Sequence, residues 1–188
     1  MINQNRPDHV KWWREFVFLP RVFEALALLA GSPYRVVVVT NQSAVGRGLI
    51  TPERLEDLHD RMIAEVARRG GRIDAVYACP HRPEERCTCR KPRPGLYLRA
   101  AQELEIDLPH SLAVGDAVSD VEATLAAGCQ PVLVRSGRGR EQLKKMPDHL
   151  ARKCYIEEDL FSVVDRLARN GYSWNYAAIF SSSGNGPG

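Results

Sequence analysis

Apolar and polar residues along the chain alternate between short runs and longer patterns with helical spacing. Residues 35–40 read RVVVVT, and four consecutive valines predict a strand that is buried on both faces of a parallel sheet. Residues 20–31 and 51–71 instead place apolar side chains three or four positions apart, with a proline near the start and glycine at the end. Each of these two stretches predicts an amphipathic helix.

The same alternation continues along the rest of the chain. Strands are predicted at residues 73–78, 111–115 and 131–134, and helices at residues 94–105 and 119–127. Strands that alternate with helices imply right-handed crossovers and a doubly wound, three-layer α/β/α sandwich with a mostly parallel sheet. The chemistry of such a fold lies at the carboxyl ends of its strands.

Length and composition narrow the class of protein. The 188 residues suffice for one domain, which we place at residues 1–170, and residues 171–188 are predicted to be a partly disordered tail. No apolar run reaches the roughly 18 residues of a membrane helix, and no secretory signal is evident. The net charge of +3 is not concentrated in one block, so the charge pattern does not indicate nucleic-acid binding. We expect a cytoplasmic monomer with no membrane or nucleic-acid partner.

Four potential metal ligands fall within one short stretch after the predicted strand at residues 73–78. Their spacing is C-x-H-x5-C-x-C, and they are Cys79, His81, Cys87 and Cys89. Thiolates and an imidazole suit the tetrahedral coordination of Zn²⁺, and four protein ligands leave no position for an activated water. The pattern predicts a structural zinc site rather than unrelated loop cysteines, and the odd total of five cysteines argues against a disulfide framework.

Three polar fragments end or follow predicted strands: TNQS at residues 40–43, CRKPRPG at residues 89–95 and GDAVSD at residues 115–120. Phosphoryl transfer needs positive charge and fixed hydrogen-bond donors around the phosphate oxygens. Taken singly, each of these residues also has an ordinary structural explanation. Thr40 and Asn41 are typical of turns at strand ends, and Asp116 after a glycine is typical of a turn as well. Lys91 could be a solvated surface charge, and Asp120 suits the first turn of a helix. Their occurrence at successive strand ends favours a phosphate-binding site.

In this order the fragments resemble motifs II, III and IV of the haloacid dehalogenase (HAD) superfamily. The zinc spacing narrows the likeness to the D-glycero-D-manno-heptose-1,7-bisphosphate phosphatases and the related histidinol-phosphate phosphatases, over roughly residues 3–168. The resemblance implies a HAD-like fold without a large cap domain. It also implies a magnesium-dependent phosphatase that hydrolyses a phosphomonoester of a small sugar bisphosphate through an aspartyl-phosphate intermediate.

The resemblance implies a role for each residue of the fragments. The Thr40 hydroxyl and the Asn41 backbone are expected to bind the phosphoryl group, and Lys91 to neutralise it. Asp116 is expected to bind Mg²⁺, since a hard carboxylate suits a hard cation. Asp120 is expected to orient Lys91 or a metal-bound water.

The loop that follows the valine-rich strand adds further candidates. Gln42 and Ser43 are expected to bind substrate, and Arg47 and Arg90 to bind a second phosphate or sugar hydroxyls, because a guanidinium group matches phosphate oxygens. Both arginines could instead be ordinary surface residues. One position departs from the family: Ala117 stands where heptose bisphosphate phosphatases usually have lysine after the motif IV aspartate.

The resemblance further implies an N-terminal segment. Family members open with a strand that ends in D-x-D-G-V-I-N, where the first aspartate attacks phosphorus and the second protonates the leaving oxygen. This sequence opens with Met1-Ile2-Asn3 and contains no D-x-D. We therefore expect a gene product that starts upstream of Met1 and adds the first, central strand. Without that strand we expect poor solubility and no turnover.

Two other functions stay open from the sequence. A histidinol-phosphate phosphatase would share the same fragments, and only the preferred substrate would separate it from a sugar bisphosphate phosphatase. An inactive, zinc-stabilised pseudoenzyme would bind a phosphorylated ligand without turnover. The retained carboxylates at Asp116 and Asp120 argue against the pseudoenzyme, because a site with no attacking group has little need for a magnesium ligand.

Overall fold

The computed structural model describes residues 1–172. Its five strands are β1 (Val37–Asn41), β2 (Ala75–Cys79), β3 (Leu112–Gly115), β4 (Gln130–Val134) and β5 (Tyr155–Glu157). Its eight α-helices are α1 (Val22–Ala30), α2 (Ser43–Gly46), α3 (Pro52–Arg68), α4 (Gly95–Leu104), α5 (Val118–Ala127), α6 (Gly139–Leu143), α7 (Asp148–Ala151) and α8 (Leu160–Arg169). Two 3₁₀ turns cover Trp13–Glu15 and Pro83–Glu85.

Every strand and helix predicted from the sequence is present, with ends that differ by a few residues. The signals at the start of α3 act as expected: Pro52 occupies its first turn, and the Thr51 hydroxyl accepts a hydrogen bond from the Arg54 N–H at 3.2 Å. The short elements α2, α6, α7 and β5 were not predicted. Residues 173–188 of the predicted tail lie outside the described residues.

The strands pair in parallel, as the valine-rich pattern predicted. β1 pairs with β2 in one sheet, and a second sheet has the order β3-β4-β5. Within residues 1–172, no strand pairs with the second edge of β1 or with the second edge of β3. The predicted single sheet is therefore divided into two parallel halves.

Helices cover both faces of the strands, which gives the predicted three-layer α/β/α order. Alternate side chains of the valine run take opposite directions: Val37 and Val39 pack in the cluster with α4, whereas Val36 and Val38 pack with α1 and α3. The side chains of β4 also alternate between the two faces. Val132 and Val134 contact α8, whereas Leu133 contacts α5 and α7. Burial on both faces thus explains the continuous apolar runs.

A cavity of 800 Å³ lies between the two halves of the sheet. Its walls include all residues of β1 and β3, most of which are apolar. Residues that follow the strands line the cavity as well, including Lys91, Asp116 and Asp120. Within residues 1–172, the cavity therefore lies along the edges of β1 and β3 that pair with no other strand. None of the helices within residues 1–172 is long and apolar enough to cross a membrane.

Candidate active site

Lys91 lines this cavity together with the polar residues that follow β1 and β3. Its ammonium group forms an ion pair with the Asp120 carboxylate at 2.7 Å and donates a hydrogen bond to the Val39 carbonyl oxygen, also at 2.7 Å. Both charged side chains are only 11% exposed. Lys91 is therefore not a solvated surface charge but a fixed cation beside the end of β1.

Asp120 has two functions in this arrangement. Its Oδ1 atom faces Lys91, while its Oδ2 atom accepts hydrogen bonds from the N–H groups of Asp116 at 3.1 Å and Ala117 at 3.0 Å. It is thus both an acid in the first turn of α5 and the ion-pair partner of Lys91. Gly115 leaves room for it, since a Cβ atom on Gly115 would lie 2.3 Å from the Cβ of Asp120.

Asp116 is a buried carboxylate whose partners are cations and backbone donors. Its Oδ2 atom lies 2.8 Å from the Met1 ammonium group and 3.3 Å from the Arg138 N–H, and its Oδ1 atom lies 3.5 Å from the Arg138 guanidinium group. Burial alone would raise the pKa of Asp116, but the Met1 ammonium and the Arg138 guanidinium outweigh burial and hold that pKa below its usual range. These neighbours keep the Asp116 carboxylate ionised.

The end of β1 supplies the polar groups predicted from the sequence. The hydroxyl of Thr40 accepts a hydrogen bond from the Gln42 side-chain amide at 3.3 Å, and both residues line the cavity. The side-chain amide of Asn41 bonds to the main chain of Lys91. Ser43, in the first turn of α2, is buried and lines the cavity as well.

The two candidate arginines lie differently. Arg90 lines the cavity, and its guanidinium group donates a hydrogen bond to the His81 carbonyl oxygen at 3.1 Å. Arg47 follows α2 and lies 4.0 Å from the Glu84 carboxylate, at the outer side of the cysteine-rich loop. The residues that line the cavity do not include Arg47, so the structure brings Arg90, but not Arg47, to the cavity.

The four predicted metal ligands come together. Their ligand atoms all lie within 4.8 Å of one another, with sulfur–sulfur distances of 3.3 to 3.6 Å and with His81 Nδ1 3.2 Å from the sulfur of Cys89. Three thiols and one imidazole at these separations fit one tetrahedral ion with metal–ligand distances of about 2.0–2.3 Å. All five cysteines of the chain are free.

Two residues at the site were missed by the sequence analysis, Gly137 and Arg138. Both follow β4, at the same edge of the sheet as the predicted residues, so the rule that chemistry lies at strand ends could have found them. Gly137 has a positive φ of +63°, and a Cβ atom there would lie 2.2 Å from Asp116 Oδ2. Only glycine lets the loop approach Asp116 so closely.

Comparisons with known proteins agree with this geometry. The HAD-hydrolase-like family model matches residues 88–157. The D-glycero-beta-D-manno-heptose-1,7-bisphosphate 7-phosphatase of Bordetella bronchiseptica is 40% identical over 169 residues, which are 89% of this chain and 92% of the relative. The chain belongs to this HAD-like phosphatase family. The Pseudomonas aeruginosa enzyme of the same name is 37% identical over 167 residues, again 89% of this chain and 92% of the relative.

Solved structures of the HAD-like phosphatase family have the same fold. The crystal structure of the B. bronchiseptica D,D-heptose 1,7-bisphosphate phosphatase, complexed with magnesium and phosphate, has a TM-score of 0.84 and 38% identity and covers 90% of this chain and 93% of its own. The Burkholderia thailandensis phosphatase has a TM-score of 0.63 and 32% identity and covers 87% of this chain and 94% of its own. The family and the HAD-like α/β fold predicted from the motifs are thereby confirmed.

Proposed function

We propose that this site hydrolyses a phosphomonoester of a small sugar bisphosphate, D-glycero-β-D-manno-heptose 1,7-bisphosphate, and that histidinol phosphate is the second candidate substrate. The observation that carries the proposal is that Thr40, Lys91 and Asp116 line one cavity. The names and identities of the relatives favour the heptose substrate over histidinol phosphate.

The residues of the chain supply most of what phosphoryl transfer requires. The Thr40 hydroxyl donates a hydrogen bond to a phosphoryl oxygen, and the Lys91 ammonium, oriented by Asp120, neutralises charge on the phosphoryl group. Arg90, which lines the cavity, binds a sugar hydroxyl or the second phosphate. Gln42 and Ser43 line the same region and help to position the substrate.

Magnesium is part of this proposal. Asp116 fits the ion because it is a buried carboxylate that lines the cavity together with Thr40 and Lys91, and carboxylate oxygens are ligands that suit Mg²⁺. Bound there, Mg²⁺ supplies positive charge to the phosphate oxygens. The B. bronchiseptica phosphatase was crystallised with magnesium and phosphate, which supports this assignment.

Zinc is proposed for the cluster of Cys79, His81, Cys87 and Cys89. The free thiols support zinc in a reducing compartment, in agreement with a cytoplasmic location. Four protein ligands give the ion a structural role, since they leave no position for a reacting water.

We further propose a monomer, because a small substrate requires no second subunit at this cavity.

The attacking carboxylate is proposed to lie on a strand that fills the cavity between β1 and β3. The carboxylates that line the phosphate-binding end within residues 1–172 are Asp116 and Asp120, and both are already engaged. The Met1 ammonium lies beside Asp116, at the carboxyl edge of the strands. A strand that is joined to Met1 and runs parallel to β1 would therefore end where the phosphoryl group binds.

Phosphate release tests the proposed function. An extended chain, with four apolar residues and Asp-X-Asp-Gly joined to Met1, is assayed with Mg²⁺ on heptose bisphosphate and on histidinol phosphate, beside the chain of 188 residues. We expect the extended chain to prefer the bisphosphate and the shorter chain to be slower by about 10⁶, the cost of deleting a nucleophile. If the extended chain binds the phosphorylated substrate but releases no inorganic phosphate from it, the protein is a pseudoenzyme.

A further inference from the structure

Asn41 connects two parts of the site. It is the last residue of β1, and it stands opposite the predicted zinc ligand Cys79 in the parallel ladder. The next residue keeps this connection, because the Gln42 N–H donates to the Cys79 carbonyl oxygen at 2.7 Å. The backbone at Asn41 is thus fixed by the sheet, and its side chain extends from a rigid position.

The side-chain amide of Asn41 uses both of its polar atoms on the same residue. Its Nδ2 atom donates a hydrogen bond to the Lys91 carbonyl oxygen, and its Oδ1 atom accepts one from the Lys91 N–H, each at 3.1 Å. Two bonds to the N–H and C=O groups of one residue fix both its position and its rotation. A single bond would leave the main chain free to turn.

The consequence concerns the ammonium group of Lys91. A lysine side chain loses rotamer entropy when it is fixed, so its ammonium group stays in place only if its backbone starts from the right position. Displacement of a catalytic group by about 1 Å can reduce a rate 100-fold. With its backbone held by Asn41, Lys91 reaches both Val39 and Asp120.

We propose that the Asn41 side chain is a positioning residue, which holds the Lys91 ammonium group at the phosphate site. The inference rests on the proposed phosphatase function, in which Lys91 neutralises the phosphoryl group. The family resemblance implies that the backbone of Asn41 binds the phosphate. The proposal gives the side chain of Asn41 a separate role, which is to position Lys91. The two hydrogen bonds between Asn41 and Lys91, called the clamp below, also connect β1 to the segment that follows Cys89, the last predicted ligand of the zinc loop.

Inorganic phosphate with Mg²⁺ is the probe, and its affinity is measured by ³¹P NMR titration of the 188-residue chain and its variants. We expect Asn41→Ala and Asn41→Ser to weaken phosphate binding by about 10-fold, which corresponds to about 1.4 kcal/mol. The serine variant retains a polar group at the end of β1 but is too short to reach both main-chain atoms. Asn170→Ala is the matched control, because the Asn170 amide also bonds to a main-chain carbonyl, that of Arg166, on an exposed surface.

A double-mutant comparison separates positioning from simple stabilisation. If Asn41 acts through Lys91, Asn41→Ala added to Lys91→Met should weaken phosphate binding no further than Lys91→Met alone. If both asparagine variants lower Tm but bind phosphate like the unsubstituted chain, the role is only structural and the inference is overturned. Failure of the unsubstituted chain to bind phosphate would overturn the proposed function first, and the inference with it.

Discussion

At the scale of single residues, Lys91 and Asp116 show how charges are kept nearly buried at this site. A buried charge is costly unless it is paired and hydrogen-bonded. Lys91 has the Val39 carbonyl and Asp120, and Asp120 is itself held by two N–H groups. Asp116 has the ammonium of Met1 and two groups of Arg138. Each of these two buried charges thus has charged and hydrogen-bonding partners within the described residues.

Gly137 gives a test of the proposed magnesium site at this scale. In Gly137→Ala, the new methyl group would lie 2.2 Å from Asp116 Oδ2, so either the loop or the carboxylate must move. We expect Mg²⁺ binding, measured by isothermal titration calorimetry, to weaken at least about 10-fold, an energetic loss of about 1.4 kcal/mol. The positive φ of Gly137 adds a backbone cost of about 1–2 kcal/mol to the loss of stability.

Gly70→Ala is the matched control for this backbone cost. Gly70 has a φ of +79°, and nothing lies within 4 Å of the position that its Cβ atom would take. Both variants should therefore lose stability through the positive φ, with a larger loss in Gly137→Ala because of its contact with Asp116, while only Gly137→Ala should lose Mg²⁺ affinity. Equal Mg²⁺ affinity in the two variants would contradict the assignment of Asp116 as the ligand.

The sequence predicted the position of these residues better than their contacts. Thr40, Lys91 and Asp116 follow apolar strands, and the rule that strand ends converge places them together. The clamp by Asn41 and the approach of Arg138 to Asp116 could not be predicted in this way, because they join residues 50 and 22 positions apart. Such contacts depend on how loops pack, which the hydrophobic pattern does not specify.

At the scale of helices and strands, length and apolar content decided which elements could be predicted. β1 contains three of the four consecutive valines, and its alternate, partly buried side chains pack on opposite faces, so the signal was strong. β5 has only three residues, Tyr155–Glu157, and its central isoleucine is 37% exposed. An edge strand this short carries no apolar pattern of its own and is fixed by pairing with β4.

The zinc loop yields a prediction at this scale. Arg90 and Lys91 directly follow Cys89. The proposed metal would fix this short segment at Cys89, and Asn41 fixes it at Lys91, so loss of the metal should free the end at Cys89. We expect Cys87→Ser to reduce the zinc content, measured by elemental analysis, and to weaken phosphate binding about 10-fold. Cys154→Ser, which lies outside the cluster, should change neither quantity. Loss of zinc with unchanged phosphate affinity would show that the loop does not support Lys91.

At the scale of the whole molecule, the main feature is the space between the halves of the sheet. Two parallel sheets expose one edge each to a cavity of 800 Å³, and helices cover both faces of the strands. Unpaired strand edges are the surfaces to which another strand adds most readily. One additional parallel strand would pair with β1 and β3 together and join the halves into a single sheet.

Stability measures whether this space accepts a strand, independently of catalysis. Burial of four large apolar side chains contributes about 6–12 kcal/mol, at about 1.5–3 kcal/mol each, and the entropy lost by ordering the extension reduces this gain. We expect the Tm of the extended chain to exceed that of the 188 residues by about 5–15 °C, which corresponds to a net gain of a few kcal/mol, since 1 kcal/mol shifts the Tm of a domain this size by about 2–4 °C. The same extension with serines in place of the four apolar residues should give no increase. If the apolar and serine extensions melt at the same temperature, the space between β1 and β3 is not a strand site, and the attacking carboxylate must enter from another direction.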